Sequence, residues 1–158
     1  AVVGPSDVNG IGPVVWGSDG AQADVIYMTS DLLEVGRTGT PSLLHMNGQP
    51  VFRWATGFIA DAAARCLEAS GLTPDQLDVF APHQANDRIT NAMLRHLKLP
   101  STVKVARTIR HFGNNSAASI PMALDAMLAS GEAKSGDTAL IIGFGAGLVF
   151  AGQVIVLP

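Results

Sequence analysis

One histidine of the chain lies where α/β proteins often carry catalytic groups. His83 stands in the segment Pro82-His83-Gln84-Ala85-Asn86, between a predicted strand and a predicted helix. A histidine beside a helix N-terminus tends to stay neutral, because the positive end of the helix dipole disfavours the imidazolium ion. A neutral imidazole can donate one hydrogen bond to a developing oxyanion. The alternative is a histidine that only caps or packs the loop, and the spacing alone favours that alternative.

Two other segments could bring N–H groups to a ligand. Gly113-Asn114-Asn115-Ser116 opens a second predicted helix, and its small residues would let a ligand approach closely, with Asn114 as an amide donor. Gly143-Phe144-Gly145-Ala146-Gly147 could present backbone N–H groups to an anion. A strand follows it, so it is not a dinucleotide-binding fingerprint. Taken alone, helix capping is the simpler explanation of the first segment and a tight turn that of the second.

The cysteine and the remaining histidines do not predict a site. Cys66 is the single cysteine, which excludes a disulfide scaffold, and it falls on the apolar face of a predicted helix. That position is typical of a core residue rather than of a nucleophile. The four histidines lack the spacing of a zinc site.

Positive charge is concentrated between Arg88 and Arg110. This segment has six of the ten basic residues and no acidic residue, although the net charge of the protein is −3. A solvated surface is one explanation, and a docking site for an acidic partner or a phosphate is the other. The acidic pI near 5.7 and the lack of aromatic residues in the segment argue against nucleic-acid binding. The six residues are Arg88, Arg95, Lys98, Lys104, Arg107 and Arg110.

An alternation of helices and strands must hold these residues. The length of 158 residues and the 47% hydrophobic content predict one domain with a sizeable core. No stretch is long and apolar enough to span a bilayer, so we expect no membrane contact. Strands are predicted at residues 12–17, 25–28, 43–46, 77–81, 103–105, 138–143 and 148–157, and helices at 51–70, 84–97 and 116–130, with a helical turn at 73–76. This order indicates an α/β layered sheet. A strand end at residues 1–3 suggests part of a longer polypeptide.

Four stretches together resemble the C-terminal half of the beta-ketoacyl-acyl-carrier-protein synthase III family of the thiolase superfamily. They are GQPVFR at 48–53, VFAPHQANDRI at 79–89, HFGNNSAASIP at 111–121 and GFGAG at 143–147. The resemblance covers essentially the whole chain, and the two long motifs together are specific. It implies an α/β thiolase-like fold in which residues 1–158 are the C-terminal half of a five-layer α-β-α-β-α sandwich. The N-terminal half, with the nucleophile, lies outside this chain.

The resemblance also implies a reaction. The family moves an acyl group from coenzyme A to a cysteine, then condenses it with malonyl carrier protein in a decarboxylative Claisen step that initiates fatty-acid or polyketide synthesis. His83 and Asn114 match the second and third members of the Cys-His-Asn triad, whereas Cys66 does not match the nucleophile. We therefore expect this chain alone to be inactive. The implied enzyme is a cytoplasmic homodimer without a cofactor or metal, and it binds neither nucleic acid nor membrane.

Further positions follow from the resemblance alone. The pantetheine channel is matched by Gln49, Phe52 and Asn86, and the carrier-protein docking face by Arg53, Arg88 and Arg95. Phe144 matches an aromatic residue beside the nucleophile, and the backbone N–H of Ala146 matches half of an acyl oxyanion hole. The departures are Asn115 for a commoner Thr, Ala146 for a Gly of many relatives, and Asp87, which puts a negative charge in the docking region.

Other function classes stay open. A non-catalytic thiolase-fold scaffold subunit is one, although a scaffold has no need of His83 and Asn114 together. A divergent acyltransferase of secondary metabolism is another, and a nucleotide-binding module would rest only on residues 143–147.

If His83 donates to a substrate oxygen, its second ring nitrogen needs a donor. We expect a backbone N–H of the following helix turn or of the Gly-rich loop in that role.

Overall fold

A five-stranded mixed sheet is the centre of the fold in the computed structural model, which describes residues 3–158. The strands of the chain are β1 (Val15–Ser18), β2 (Ile26–Met28), β3 (Leu44–Met46), β4 (Val79–Pro82), β5 (Lys104–Val105), β6 (Thr138–Gly145) and β7 (Val149–Val156). The sheet has the order β1-β7-β6-β4-β5, with β4 parallel to both β5 and β6 and the remaining pairs antiparallel. β2 and β3 form a separate antiparallel pair.

Six α-helices accompany the strands within the described residues. They are α1 (Leu32–Thr38), α2 (Gly48–Thr56), α3 (Phe58–Ala69), α4 (Asp87–Leu97), α5 (Ile109–Phe112) and α6 (Ser119–Ser130). Short 3-10 turns lie at Gly20–Val25, Pro74–Gln76 and Ser116–Ala118. None of the helices in this part of the chain is long and apolar enough to cross a membrane.

One face of the sheet packs against α2, α3 and α4. Successive side chains of a strand point to opposite faces, and Phe80, Leu140 and Ile142 all point to this one. α3 lies across β1, β6 and β7, and α4 packs beside α2 and α3. Ile59 of α3 and Met93 of α4 have no exposed surface, so the interior of this layer is closed.

The opposite face packs against α6. Val79 and Ala81 of β4 contact the cluster that contains Ala123 and Met127 of α6. Beside α6, a groove of about 1260 Å³ lies between residues 3–11, the helix and the strands β6 and β7. Apolar side chains line much of it, among them Ile120, Leu124, Leu128, Ile141 and Ile155.

The predicted α/β fold is confirmed, with corrections in local detail. The helix predicted at 51–70 is two helices, since the chain turns at Gly57, a residue of low helix propensity. The helix predicted at 84–97 begins at Asp87, because the Asn86 side chain caps it by accepting from the Arg88 N–H at 2.8 Å. The strand predicted at 12–17 begins only at Val15.

Two helices were not predicted. α1 is capped by Asp31, whose side chain accepts from the Glu34 N–H at 2.7 Å, and it ends at Gly39 in the left-handed region. α5 is a single turn of four residues. The strand end predicted at residues 1–3 falls on residues 1 and 2, which lie outside the described residues, and Val3 is in no strand.

Candidate active site

His83 directly follows β4, at the carboxyl end of the parallel strands. Its backbone N–H donates to the Ile142 carbonyl at 2.8 Å, so the pairing of β4 with β6 continues to this residue. The imidazole is partly buried, and burial lowers the pKa of His83 below its usual value of 6.5. A neutral ring near pH 7 agrees with the sequence prediction, but the cause is burial and not the expected helix dipole, since α4 begins only at Asp87.

The Ser119 hydroxyl is the partner of the His83 ring. His83 Nδ1 and Ser119 Oγ are 2.6 Å apart, and the Gln84 backbone N–H donates to the same oxygen at 3.2 Å. The sequence predicts a backbone N–H here, and the structure places a side-chain hydroxyl instead. Ser119 is 1% exposed and is the first residue of α6, so the sequence motif contained it without showing its role.

Phe144 contacts His83 from the neighbouring strand. The two ring centroids are 5.3 Å apart and the planes meet at 78°, an edge-to-face arrangement. Trp54 of α2 meets Phe144 edge-on at 6.3 Å, and it stacks on Phe58 at 5.8 Å. The structure thus brings His83 and Phe144 together, and it places an apolar aromatic wall on one side of the imidazole.

Asn114 lies in the exposed loop that leads from α5 to α6. Its side-chain Oδ1 accepts from the Ser116 N–H at 2.9 Å. Because the carbonyl end of the amide is engaged, the NH₂ end is the part left to donate to a ligand. The same loop continues into Ser119, which binds the His83 ring. The loop of Asn114 is therefore connected to His83 through the Ser119 hydrogen bond. That the N–H groups of His83 and Asn114 converge on one substrate oxygen stays a prediction.

The residues matched to the pantetheine channel lie on two adjacent helices. Gln49 and Phe52 share the exposed side of α2, opposite the buried Trp54, and Arg53 of the docking face lies on the same side. α2 packs beside α4, and Asn86 is the N-cap of α4. Since the Asn86 carbonyl caps the helix, its NH₂ group is the part available to a ligand.

Ala146 is exposed in the turn between β6 and β7. That turn begins after Gly145, the residue that follows Phe144, so it lies beside the aromatic wall of His83. Its role in an oxyanion hole stays a prediction. Within residues 3–158, no three His, Cys, Asp or Glu side chains are grouped closely enough to hold a metal ion.

The basic segment is less positive than its composition suggests. Asp87 accepts from Arg107 at 2.5 Å and from Arg110 at 2.8 Å. Burial would raise the pKa of Asp87, but the hydrogen bonds from the two arginines outweigh burial and hold that pKa below its usual value. Lys104 is similarly paired with Asp137 at 3.0 Å.

Three cations of the segment keep their charge on the surface. Arg88, Arg95 and Lys98 are exposed, and none of them is in a salt bridge among the described residues. Arg88 and Arg95 are matched by resemblance to the carrier-docking face, together with Arg53 of α2. Arg88 and Arg95 lie on α4 and Lys98 lies at its C-terminal end, so the surface of this helix is positively charged.

Solved structures define the class of fold. Over 98% of its length and 47% of the other chain, this chain matches the crystal structure of the priming beta-ketosynthase from the R1128 polyketide biosynthetic pathway, with a TM-score of 0.93 and 44% identity. It also matches beta-ketoacyl-[acyl carrier protein] synthase III from Thermus thermophilus, with a TM-score of 0.83 and 35% identity over 97% of this chain and 48% of the other. The chain has the thiolase-like fold of these enzymes.

Sequence comparison gives the family. The profile described as 3-oxoacyl-[acyl-carrier-protein (ACP)] synthase III C terminal matches residues 67–157. Beta-ketoacyl-[acyl-carrier-protein] synthase III of Streptomyces glaucescens is 53% identical over 99% of this chain and 48% of the relative. The Mycobacterium avium protein of that family is 46% identical over the same shares. The chain belongs to the beta-ketoacyl-acyl-carrier-protein synthase III family, and it spans about half the length of the curated relatives it matches.

Proposed function

We propose that the complete protein containing this chain is a condensing acyltransferase. It takes an acyl group from coenzyme A and joins it to malonyl-acyl-carrier protein by decarboxylative Claisen condensation, in fatty-acid or polyketide initiation. This chain supplies His83 and Asn114, and the remaining half supplies the nucleophile. The observation that carries the proposal is the partly buried His83 at the end of β4, whose ring is joined through Ser119 to the loop of Asn114.

The chemistry needs two hydrogen-bond donors at one oxygen. When the malonyl thioester loses carbon dioxide, the bond to the carboxylate carbon breaks and its electron pair moves into an enolate, with negative charge on the thioester oxygen. N–H groups of His83 and Asn114 that are already oriented lower this barrier. The enolate carbon then attacks the acyl-enzyme carbonyl, and the nucleophile departs as a thiolate or its equivalent.

The same proposal places the nucleophile outside residues 1–158. Cys66 is fully buried against the sheet, and burial raises the pKa of its thiol to about 11. A thiol of this kind is inert as a nucleophile.

The groove beside α6 is proposed as the place where the second half packs, since apolar side chains line it and the relatives are about twice as long as this chain. As the resemblance implies, the complete enzyme is proposed to be a cytoplasmic homodimer.

Two substitutions in the complete protein test the roles of the donors. We expect His83→Ala and Asn114→Ala each to lower the rate of carbon dioxide release from malonyl carrier protein by about 10²–10³-fold. Transfer of the acyl group from coenzyme A to the enzyme should continue. Matched controls are His96→Ala, which removes an exposed imidazole from α4, and Asn115→Ala, in the same loop as Asn114.

The opposite result would assign the opposite role. If self-acylation is lost while decarboxylation persists, the two residues activate the nucleophile instead. If neither reaction can be detected in the native protein, the complete protein is a scaffold subunit and the proposal is wrong.

The surface cations of α4 are proposed to dock the acidic carrier protein. Reversal of Arg88 and Arg95 to Glu should raise the KM for malonyl carrier protein and leave self-acylation from acyl-CoA nearly unchanged. The increase should shrink as salt is added, because exposed charges are screened. Arg37→Glu on the exposed helix α1 is the control. Equal losses in both half-reactions would contradict docking.

A further inference from the structure

The hydrogen bonds around the ring of His83 favour one position of its proton. The Gln84 backbone N–H is only a donor, so Ser119 Oγ must accept at that contact. The hydroxyl has a single proton of its own. Besides the Gln84 contact, the hydroxyl oxygen has one other hydrogen-bond partner among residues 3–158, His83 Nδ1 at 2.6 Å, so this nitrogen is the acceptor available for the hydroxyl proton. When the proton of the hydroxyl points at Nδ1, that nitrogen is the acceptor, and the proton of the neutral imidazole stays on Nε2.

The surroundings of Ser119 keep this arrangement rigid. Ser119 is 1% exposed, so water does not compete for its hydroxyl. Gln84 is equally buried, and its side chain donates to the Pro82 carbonyl at 2.8 Å and accepts from the Ile109 N–H at 3.3 Å. The network therefore joins the end of β4, the start of α5 and the start of α6 around one imidazole.

We propose that Ser119 is the positioning residue that holds His83 as the Nε2–H tautomer, with its N–H directed away from α6 and toward the substrate oxygen. Ser119 does not touch the substrate. This inference rests on the proposed function, because it explains how His83 can donate there. The wrong tautomer would present a lone pair to the enolate oxygen and repel it.

The direct test is the nitrogen NMR spectrum of the imidazole in the complete protein. The native protein should show one tautomer, with the proton on Nε2. Ser119→Ala removes the donor, and we expect a mixture of tautomers at His83. Ser119→Thr keeps the hydroxyl and should restore the native pattern. Ser130→Ala is the matched control, since it removes a hydroxyl from the last turn of the same helix.

Kinetics give the second readout. Loss of a group that orients a catalytic residue typically costs about 10–100-fold in activity. We expect a loss of this size in kcat for Ser119→Ala with little change in KM, since the substrate-binding groups are untouched, and recovery in Ser119→Thr. If the alanine variant does not fold, Ser119→Cys fills the same space with a weaker donor and should show the same direction of change.

The outcomes separate this inference from the proposed function. A native tautomer that stays unchanged in Ser119→Ala overturns the positioning role, whatever the activity. A changed tautomer supports that role even if His83→Ala leaves decarboxylation intact, which would overturn the proposed function alone. Equal losses in Ser119→Ala and Ser130→Ala would mean that the hydroxyl matters only for the stability of α6, and would also overturn the inference.

Discussion

The two faces of the central sheet differ in how completely this chain covers them. On the face of α2, α3 and α4, side chains such as Ile59, Phe80 and Met93 have no exposed surface. On the face of α6, a groove of about 1260 Å³ is bordered by Ile120 and Ile155, and Met122 of the same helix is 36% exposed. The first face is a finished core, and the second is a surface that is largely apolar.

The difference shows which parts of the site this chain can hold by itself. Phe144 and Trp54 pack into the finished core, and they support one side of His83. Asn114 is exposed, on the loop that leads into α6. The His83 side of the site is therefore built within this chain, whereas the Asn114 side is open to solvent in this chain.

The largest expected effect concerns the chain in isolation. Residues 1–158 alone should associate or precipitate, because the groove and the exposed side chains around it form an apolar surface. Sedimentation and a thermal melt of the isolated chain provide the check. A monomer that melts cooperatively would show that the second face needs no cover.

A truncation on the finished face should cost the most stability among single substitutions. Phe80→Ala in the complete protein removes a fully buried ring, and such changes cost about 3–5 kcal/mol. Denaturant unfolding measures the loss. Met122→Ala is the comparison on the other face. A cost of about 2 kcal/mol or more would indicate that the second half covers it, and a cost below about 0.5 kcal/mol would indicate that it stays exposed.

Two glycines of the β6–β7 pair give a finer comparison between the faces. A Cβ at Gly152 would lie 2.9 Å from Cys66 Sγ and 3.1 Å from the Ile141 carbonyl oxygen, so α3 approaches the sheet too closely for alanine. A Cβ at Gly143 would meet Ile120 Cδ1 at 3.7 Å, an ordinary contact. We expect Gly152→Ala to destabilise the complete protein by about 1–3 kcal/mol.

Gly143→Ala is the matched control and should be close to neutral in the same unfolding measurement. Equal costs for the two variants would mean that the faces are equally tight at these strands, and the comparison would fail at this point.

The smallest expected effect is the pH dependence of stability that His83 contributes. Because its pKa is lowered by burial in the folded protein, the unfolded chain binds this proton more readily. The contribution is complete above the unfolded pKa of about 6.5 and is lost as pH falls through the lower folded value. His83→Gln should therefore make the free energy of unfolding less sensitive to pH between neutral and mildly acidic conditions. An unchanged pH dependence would contradict a desolvated imidazole.

Periodicity predicted the elements of the finished face well. Ile89, Met93 and Leu97 form one stripe in the sequence, and all three are buried in α4. The break between α2 and α3 was missed because apolar spacing continues through Gly57, and only the backbone there departs from helix geometry. α1 was missed because its apolar residues Leu32 and Leu33 are exposed and give no amphipathic pattern.

The site was predicted only in part, because some of its contacts join residues that lie far apart in the chain. His83 follows β4 and Phe144 lies near the end of the adjacent strand β6, so their contact follows from the topology once β4 and β6 are paired. The bond from Ser119 joins residues that lie far apart in the chain, and a serine at a helix start is usually explained by capping. The pairing of Asp87 with Arg107 and Arg110 likewise depends on tertiary contact, so a count of charges along the segment overstated its free charge.

The most direct test of the account is a double-mutant cycle on decarboxylation in the complete protein. The rate of carbon dioxide release from malonyl carrier protein is measured for the native protein, His83→Ala, Asn114→Ala and the double variant. If both donors act on one oxygen, the double variant should be about as slow as the slower single variant. Losses that multiply would show that the two residues act independently, and would contradict a shared enolate site.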